Sequence, residues 1–217
     1  DAVEPRPAAT VVLLRAGDTG SDGTGPAGLE VLLTHRPATM AFAADMHVFP
    51  GGRVDAGDHD RRLAARSAID GDAAAVALGG DLPPDAALAA YIAALRECFE
   101  EVGVLLADAH LAGAYLTTAR ARLLAGATNF ADLAEALDLR LRTDRLVPIS
   151  RWVTPPGLPR RFDARFFAAS LPDGAAASLV GDEVAAHAWH TPRAAPDAMA
   201  ARLIGMWLPT SATLQQV

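Results

Sequence analysis

Three glutamates in the middle of the chain share one helical spacing. In Leu95-Arg96-Glu97-Cys98-Phe99-Glu100-Glu101-Val102-Gly103-Val104, a rotation of about 100° per residue puts Glu97 within a turn of both Glu100 and Glu101, and the carboxylates crowd one sector. Like charges that close weaken a helix unless something positive sits among them, and a hard divalent cation with oxygen ligands, Mg²⁺ above all, suits such a group. A solvated acidic face has the same composition. What separates the two readings is the rest of the chain. Upstream, Phe49-Pro50-Gly51-Gly52 reads as a tight turn free of side chains, as a close approach of backbone to phosphate or metal requires.

Those residues carry a family resemblance. Arg96 to Val104 is similar to the second half of the box that defines the Nudix hydrolases, Arg-Glu-apolar-x-Glu-Glu-x-Gly-apolar, at every fixed position. Gly51-Gly52-Arg53-Val54-Asp55-Ala56-Gly57-Asp58 resembles the first half, with Asp58 where the family usually has Glu. The two halves are split: 37 residues lie between Asp58 and Arg96, and residues 59–84 are read as an insertion. A split box resembles the branch that includes peroxisomal coenzyme A diphosphatases. Leu32-Leu33-Thr34-His35-Arg36, Met46-His47-Val48-Phe49-Pro50, Trp152-Val153-Thr154-Pro155 and Arg160-Arg161-Phe162-Asp163-Ala164-Arg165-Phe166-Phe167 extend the likeness over most of the chain.

The resemblance implies an α+β fold, a Nudix-type α/β/α sandwich whose central mixed sheet carries the box helix, over one domain spanning residues 1–217. It implies a hydrolase that uses Mg²⁺ or Mn²⁺ to cleave the diphosphate linkage of a nucleoside diphosphate joined to another group. Coenzyme A or an acyl-CoA is the leading small-molecule substrate. Asp45 stands where coenzyme-A-specific relatives often have Gly, which leaves dinucleotides, ADP-ribose and nucleotide sugars open. On this reading Glu97, Glu100, Glu101 and Gly52 form the metal-binding set, Glu97 is ligand or base, and Arg96 orients a neighbouring carboxylate. Arg36 and Arg161 are candidate phosphate contacts, and a surface salt bridge or an ordinary loop arginine is the plain alternative for each. Glu183 is a candidate further metal carboxylate, and Phe42 is available to stack or simply to pack. The reading from a different class is a catalytically weak Nudix-fold sensor of a nucleotide metabolite.

Composition narrows the partners. With 51% hydrophobic and 21% charged residues, the 217-residue chain suits one globular core and not wholesale disorder. A net charge of −7 without a Lys- or Arg-rich run supplies no electrostatic footprint for nucleic acid. No apolar run approaches a membrane span, and the opening Asp1-Ala2-Val3-Glu4-Pro5 is not expected to be a secretory signal. The single cysteine, Cys98, excludes an internal disulfide, fits a reducing cytoplasm, and falls at an apolar box position that suits core packing over a reactive thiol.

The elements that must position the carboxylates follow from periodicity. Residues 10–15 and 29–36 read as antiparallel strands, 146–153 and 162–171 as two more, and 184–190 as a last strand. His35 is expected to be a solvated strand residue. Asp85 is expected to cap a helix over 86–102, with Leu88, Tyr91, Ile92, Leu95 and Phe99 on its core face and Gly103 at its end. Residues 61–69, 115–125, 130–137, 194–205 and 209–217 read as further helices, and Pro83-Pro84 as a stop. The insertion is expected to leave the fold and return, as a lid or as the contact of a homodimer.

Overall fold

A computed structural model describes residues 3–17, 28–37, 45–108, 113–179 and 186–217. Its organising strand is β1 (Arg6–Ala16), whose side chains alternate between two cores: Ala9, Val11 and Leu13 enter one, Val12 the other. That two-residue period, with both faces apolar, demands cover on both sides. β8 (Phe162–Ser170) runs parallel to β1 on one flank, from Arg6↔Phe162 to Leu14↔Ser170. On the other flank β2 (Leu29–His35) and β4 (Gly51–Arg53) pair with β1 antiparallel. β3 (His47–Val48) and β9 (Ala186–His190) add to β2, and β7 (Val147–Val153) to β8, closing a seven-stranded mixed sheet.

Helices cover both faces. On the larger side lie α1 (Arg61–Arg66), α2 (Gly71–Ala77), α3 (Pro84–Val102), α4 (Gly113–Leu124) and α5 (Phe130–Ala136). On the smaller side α6 (Ala194–Ala200) and α7 (Leu208–Leu214) contribute Ala195 and Leu214 to a core with Val12, Val31, Leu33, Phe49 and Phe166. The expected α/β/α sandwich with a mixed sheet is therefore the fold. A short ladder of β5 (Ala107–Asp108) and β6 (Arg140–Leu141) lies apart from the main sheet.

α3 is the box helix. Its alanines at 87, 89, 90, 93 and 94 are buried all round, which lets α2 and the sheet approach closely, and Tyr91 meets Phe167 of β8 at 4.6 Å between ring centroids. Burying a ring such as Phe167 is worth about 1.5–3 kcal/mol. Gly103 ends the helix in the left-handed conformation, φ 71°. The start differs from expectation. Pro84 occupies the first helical position, where its missing N–H costs nothing, and Asp85 sits in the first turn without capping it.

Two other expectations are corrected. The insertion is neither lid nor excursion, since Leu63 of α1 and Ala74 of α2 have no exposed surface and join the main core. Residues 70–81 hold α2, capped by Asp70 accepting from the Ala73 N–H at 2.8 Å. Gly51 and Gly52 lie in a strand, not a turn, because their backbone pairs with Thr10 and Ala9. Among the described residues no helix is long and apolar enough to cross a membrane.

Candidate active site

The last third of α3 faces β4 and the 3₁₀ turn that follows it, Ala56–His59. Arg96 lies between them, 9% exposed, and spends all five of its N–H donors. Nε donates to Asp58 Oδ1 at 2.8 Å, and Nη2 to Asp58 Oδ2 at 3.0 Å and the Arg53 carbonyl at 2.9 Å. Nη1 donates to Glu97 Oε1 and Glu100 Oε2, both at 2.9 Å. Asp58 is 1% exposed and also accepts from the Asp55 N–H at 2.8 Å. The short Asp that departs from the family pattern thus makes a buried, forked pair with the box arginine.

One guanidinium among three carboxylates leaves the cluster negative, and Glu97 carries the cost. Burial pushes its carboxyl up to about 7, Glu100 adds in the same direction, and Arg96 opposes both. Gly52 faces this group. A Cβ there would collide with the Glu97 carboxylate, and one at Gly51 would sit 2.5 Å from the Ala9 carbonyl oxygen and 2.7 Å from Thr10 Cα. Neither glycine has a positive φ, so it is room, not backbone freedom, that they supply. The Gly51 N–H donates to Glu101 Oε2 at 3.1 Å. Arg96 thus holds Glu97 and Glu100, while β4 meets Glu97 at Gly52 and Glu101 at Gly51.

The donor set suits a hard divalent cation in chemistry: carboxylate oxygens, an excess of negative charge, and a neighbouring strand without side chains. Among the described residues, no three His, Cys, Asp or Glu converge closely enough to hold one. Arg96 occupies an oxygen of Glu97 and of Glu100, and the Gly51 amide one of Glu101.

The other expected residues are less uniform. Arg36, half-buried beyond the end of β2, exchanges backbone hydrogen bonds with Met46 and Asp45, and its Nε finds no partner among the described residues. Arg161 is tied to the carbonyls of Thr154 at 3.0 Å and Val3 at 2.6 Å, bracing the β7–β8 connection. His35 is not simply solvated: it stacks on His47, 4.7 Å between ring centroids, and bonds Asp45 at 2.9 Å. Glu183 and Phe42 lie outside the described residues. Cys98 is a buried packing residue whose thiol burial pushes up to about 12.

Sequence reasoning missed Arg120 of α4, 1% exposed against the end of α3. Its spacing held the signal, for Leu116, Ala119, Arg120 and Leu123 recur at helical steps on the face that meets the core. It also missed Arg165, 5% exposed in β8, which grips Asp81 of the insertion through two hydrogen bonds of 3.0 and 2.7 Å.

Residues 64–214 match the family described as the NUDT19 Nudix domain. The chain belongs to the Nudix hydrolase family, in its NUDT19-type branch. The acyl-coenzyme A diphosphatase NUDT19 of Gallus gallus is 30% identical over 230 residues, covering 85% of this chain and 60% of that protein. The Homo sapiens protein of the same name is 28% identical over 249 residues, covering 94% and 65%. This Nudix chain therefore spans less than two thirds of the length of those curated relatives. A Nudix hydrolase crystal structure from Alicyclobacillus acidocaldarius is 30% identical, with a TM-score of 0.75 over 98% of this chain and 90% of that one. A MutT Nudix hydrolase from Burkholderia pseudomallei, 15% identical with a TM-score of 0.52, shares the fold.

Proposed function

We propose that this Nudix domain hydrolyses the diphosphate linkage of a nucleoside diphosphate joined to another group, with coenzyme A or an acyl-CoA as the leading substrate and Mg²⁺ or Mn²⁺ as the required ion. The observation that carries the reading is the charge imbalance at Arg96, three carboxylates on one guanidinium beside Gly51 and Gly52. The acyl-CoA preference draws on the activity for which those relatives are named and on nothing in the cluster itself.

Glu97, Glu100 and Glu101 would hold the ion, with the Gly52 backbone beside them. When bound, it would neutralise the diphosphate and lower the pKa of a water that attacks phosphorus. Glu97 would either accept the proton of that water or supply the third oxygen ligand; coupled carboxylates share their titration, so mutation and not geometry separates the two roles. Arg96 fixes Glu97 and Glu100 through one nitrogen while Asp58 fixes Arg96. Arg36, with a buried unmatched Nε, is the better of the two expected phosphate contacts, because Arg161 is committed to backbone carbonyls.

A panel of coenzyme A, acyl-CoA, dinucleoside polyphosphates, ADP-ribose and nucleotide sugars, each with and without Mg²⁺, tests this reading. Ion-dependent release of a 4′-phosphopantetheine product from coenzyme A supports it. No turnover of any compound, combined with a rise in melting temperature by one of them, establishes the sensor reading instead.

A further inference from the structure

The C-terminal end of the box helix is closed by parts of the chain distant in sequence. The last carbonyls of a helix have no partner within it. In α3 the Glu100 carbonyl accepts from Arg120 Nε at 3.0 Å and Nη2 at 2.8 Å, and the Val102 carbonyl accepts from the Ser178 N–H at 2.8 Å. Arg120 Nη1 then donates to the Ser178 carbonyl at 2.9 Å and Oγ at 3.2 Å. Gly103 leaves the space for this: a Cβ there would lie 2.8 Å from Arg120 Nη1 and 2.7 Å from Ser178 Oγ. Glu100 is thereby held at both ends, its carboxylate by Arg96 and its carbonyl by Arg120.

We infer that Arg120 is a positioning residue for the ion-binding carboxylates, setting the Glu100–Glu101 peptide so that both side chains present oxygen to one divalent cation. The inference rests on the functional reading above for the role of those carboxylates, and on its own geometry for Arg120. A packing role alone does not account for the choice of residue. Burying a guanidinium is costly, and an apolar side chain of like volume would fill the space at less expense. What the guanidinium adds is a planar fork, two parallel N–H groups on one carbonyl with a third aimed at Ser178, and a positive charge at the negative end of the helix dipole. Lysine supplies the charge without the fork.

The test measures Mn²⁺ alone, by the loss of its free-ion electron paramagnetic resonance signal, on wild type, Arg120→Lys, Arg120→Met and Arg120→Ala. Both Arg120→Lys and Arg120→Met are expected to weaken Mn²⁺ binding by about tenfold or more, and to lower kcat with little change in the KM for substrate. Methylguanidine added to Arg120→Ala is expected to restore part of the Mn²⁺ affinity. Wild-type Mn²⁺ affinity in folded Arg120→Met overturns the inference; should that variant not fold, the same result in Arg120→Lys does so. The two readings fail separately. Wild type that binds Mn²⁺ yet turns over nothing in the substrate panel breaks the hydrolase reading, while Arg120 variants that bind and turn over like wild type break only this one.

Discussion

Two clusters of opposite charges sit against the same sheet, and they differ in balance. Around Arg96, one guanidinium meets Asp58, Glu97 and Glu100. Around Arg165, two guanidinium groups meet two carboxylates: Arg165 and Arg151 share Asp81, and Arg151 also forks onto Asp163. The carboxylates respond in opposite directions. Hydrogen bonds from Arg165 hold Asp81 below its ordinary value, whereas burial and Glu100 drive Glu97 up to about 7. A balanced network is complete, and here it clamps the insertion to β8. An unbalanced one retains an appetite for positive charge, which suits a site for a cation.

Mutations can break or sharpen this contrast. The largest effect is expected on turnover: Glu97→Gln and Glu101→Gln should each lower kcat by about 10²–10⁴-fold while circular dichroism reports an intact fold. Near-normal rates in both would remove the Arg96 cluster as the site. The Glu97 variant also sharpens the contrast through pH. The folded pKa of Glu97 in the wild type is raised, so the folded protein binds more protons than the unfolded chain between about 4.5 and 7, and this group's contribution to stability falls as pH rises through that window. His47 and His190, whose pKa values burial lowers, act in the opposite sense. The measurement is therefore the difference in melting temperature between metal-free wild type and Glu97→Gln. The variant should gain relative to wild type from pH 5 to pH 7, and a constant difference would show that Glu97 carries no excess charge.

Arg96→Met should destabilise the metal-free protein by about 3–5 kcal/mol in denaturant titration, because it strands Asp58 as a buried unpaired carboxylate. Gly52→Ala drives a methyl into the Glu97 carboxylate. It should reduce kcat by about 10²-fold through misplacement alone, with a smaller effect on the KM for substrate. The smallest effect belongs to the balanced cluster. Asp81→Asn should cost about 1 kcal/mol, since Asp81 is partly open to solvent, and leave turnover within about twofold of wild type. A loss of turnover there as large as in Glu97→Gln would erase the distinction between clamp and site.

Much of the architecture was legible because its signals are local. The three-and-four-residue recurrence of Leu88, Tyr91, Ile92, Leu95 and Phe99 marks α3, and four of the expected strands appear within a few residues of their bounds. The short elements were not legible. β3, β4, β5 and β6 hold two or three residues each and exist only through their partners. Pro83-Pro84 misled because the same residue that stops one helix can open the next. The insertion misled because its Ala-rich pattern looks weak until α3 supplies an equally small-residued face. In the site, the grouping of Glu97, Glu100 and Glu101 with the two glycines was readable and the spacing marked Arg120 as a core-facing position, but neither its partners nor the Asp81–Arg165 clamp was legible, since an arginine's burial depends on what packs over it.

Sequence alone determined the identity and helical phase of the three box carboxylates, the glycine that ends their helix, and the family to which the chain belongs. Those properties depend on residues a few positions apart, where backbone geometry sets the distances. Tertiary structure decided which charges are neutralised and which are left in excess. Asp58 reaches Arg96 from 38 positions away, Arg120 reaches Glu100 from 20 positions away, and Gly52 of β4 lies against the Glu97 carboxylate. Desolvation and Coulomb energy depend on neighbours in space, and no spacing along the chain encodes them.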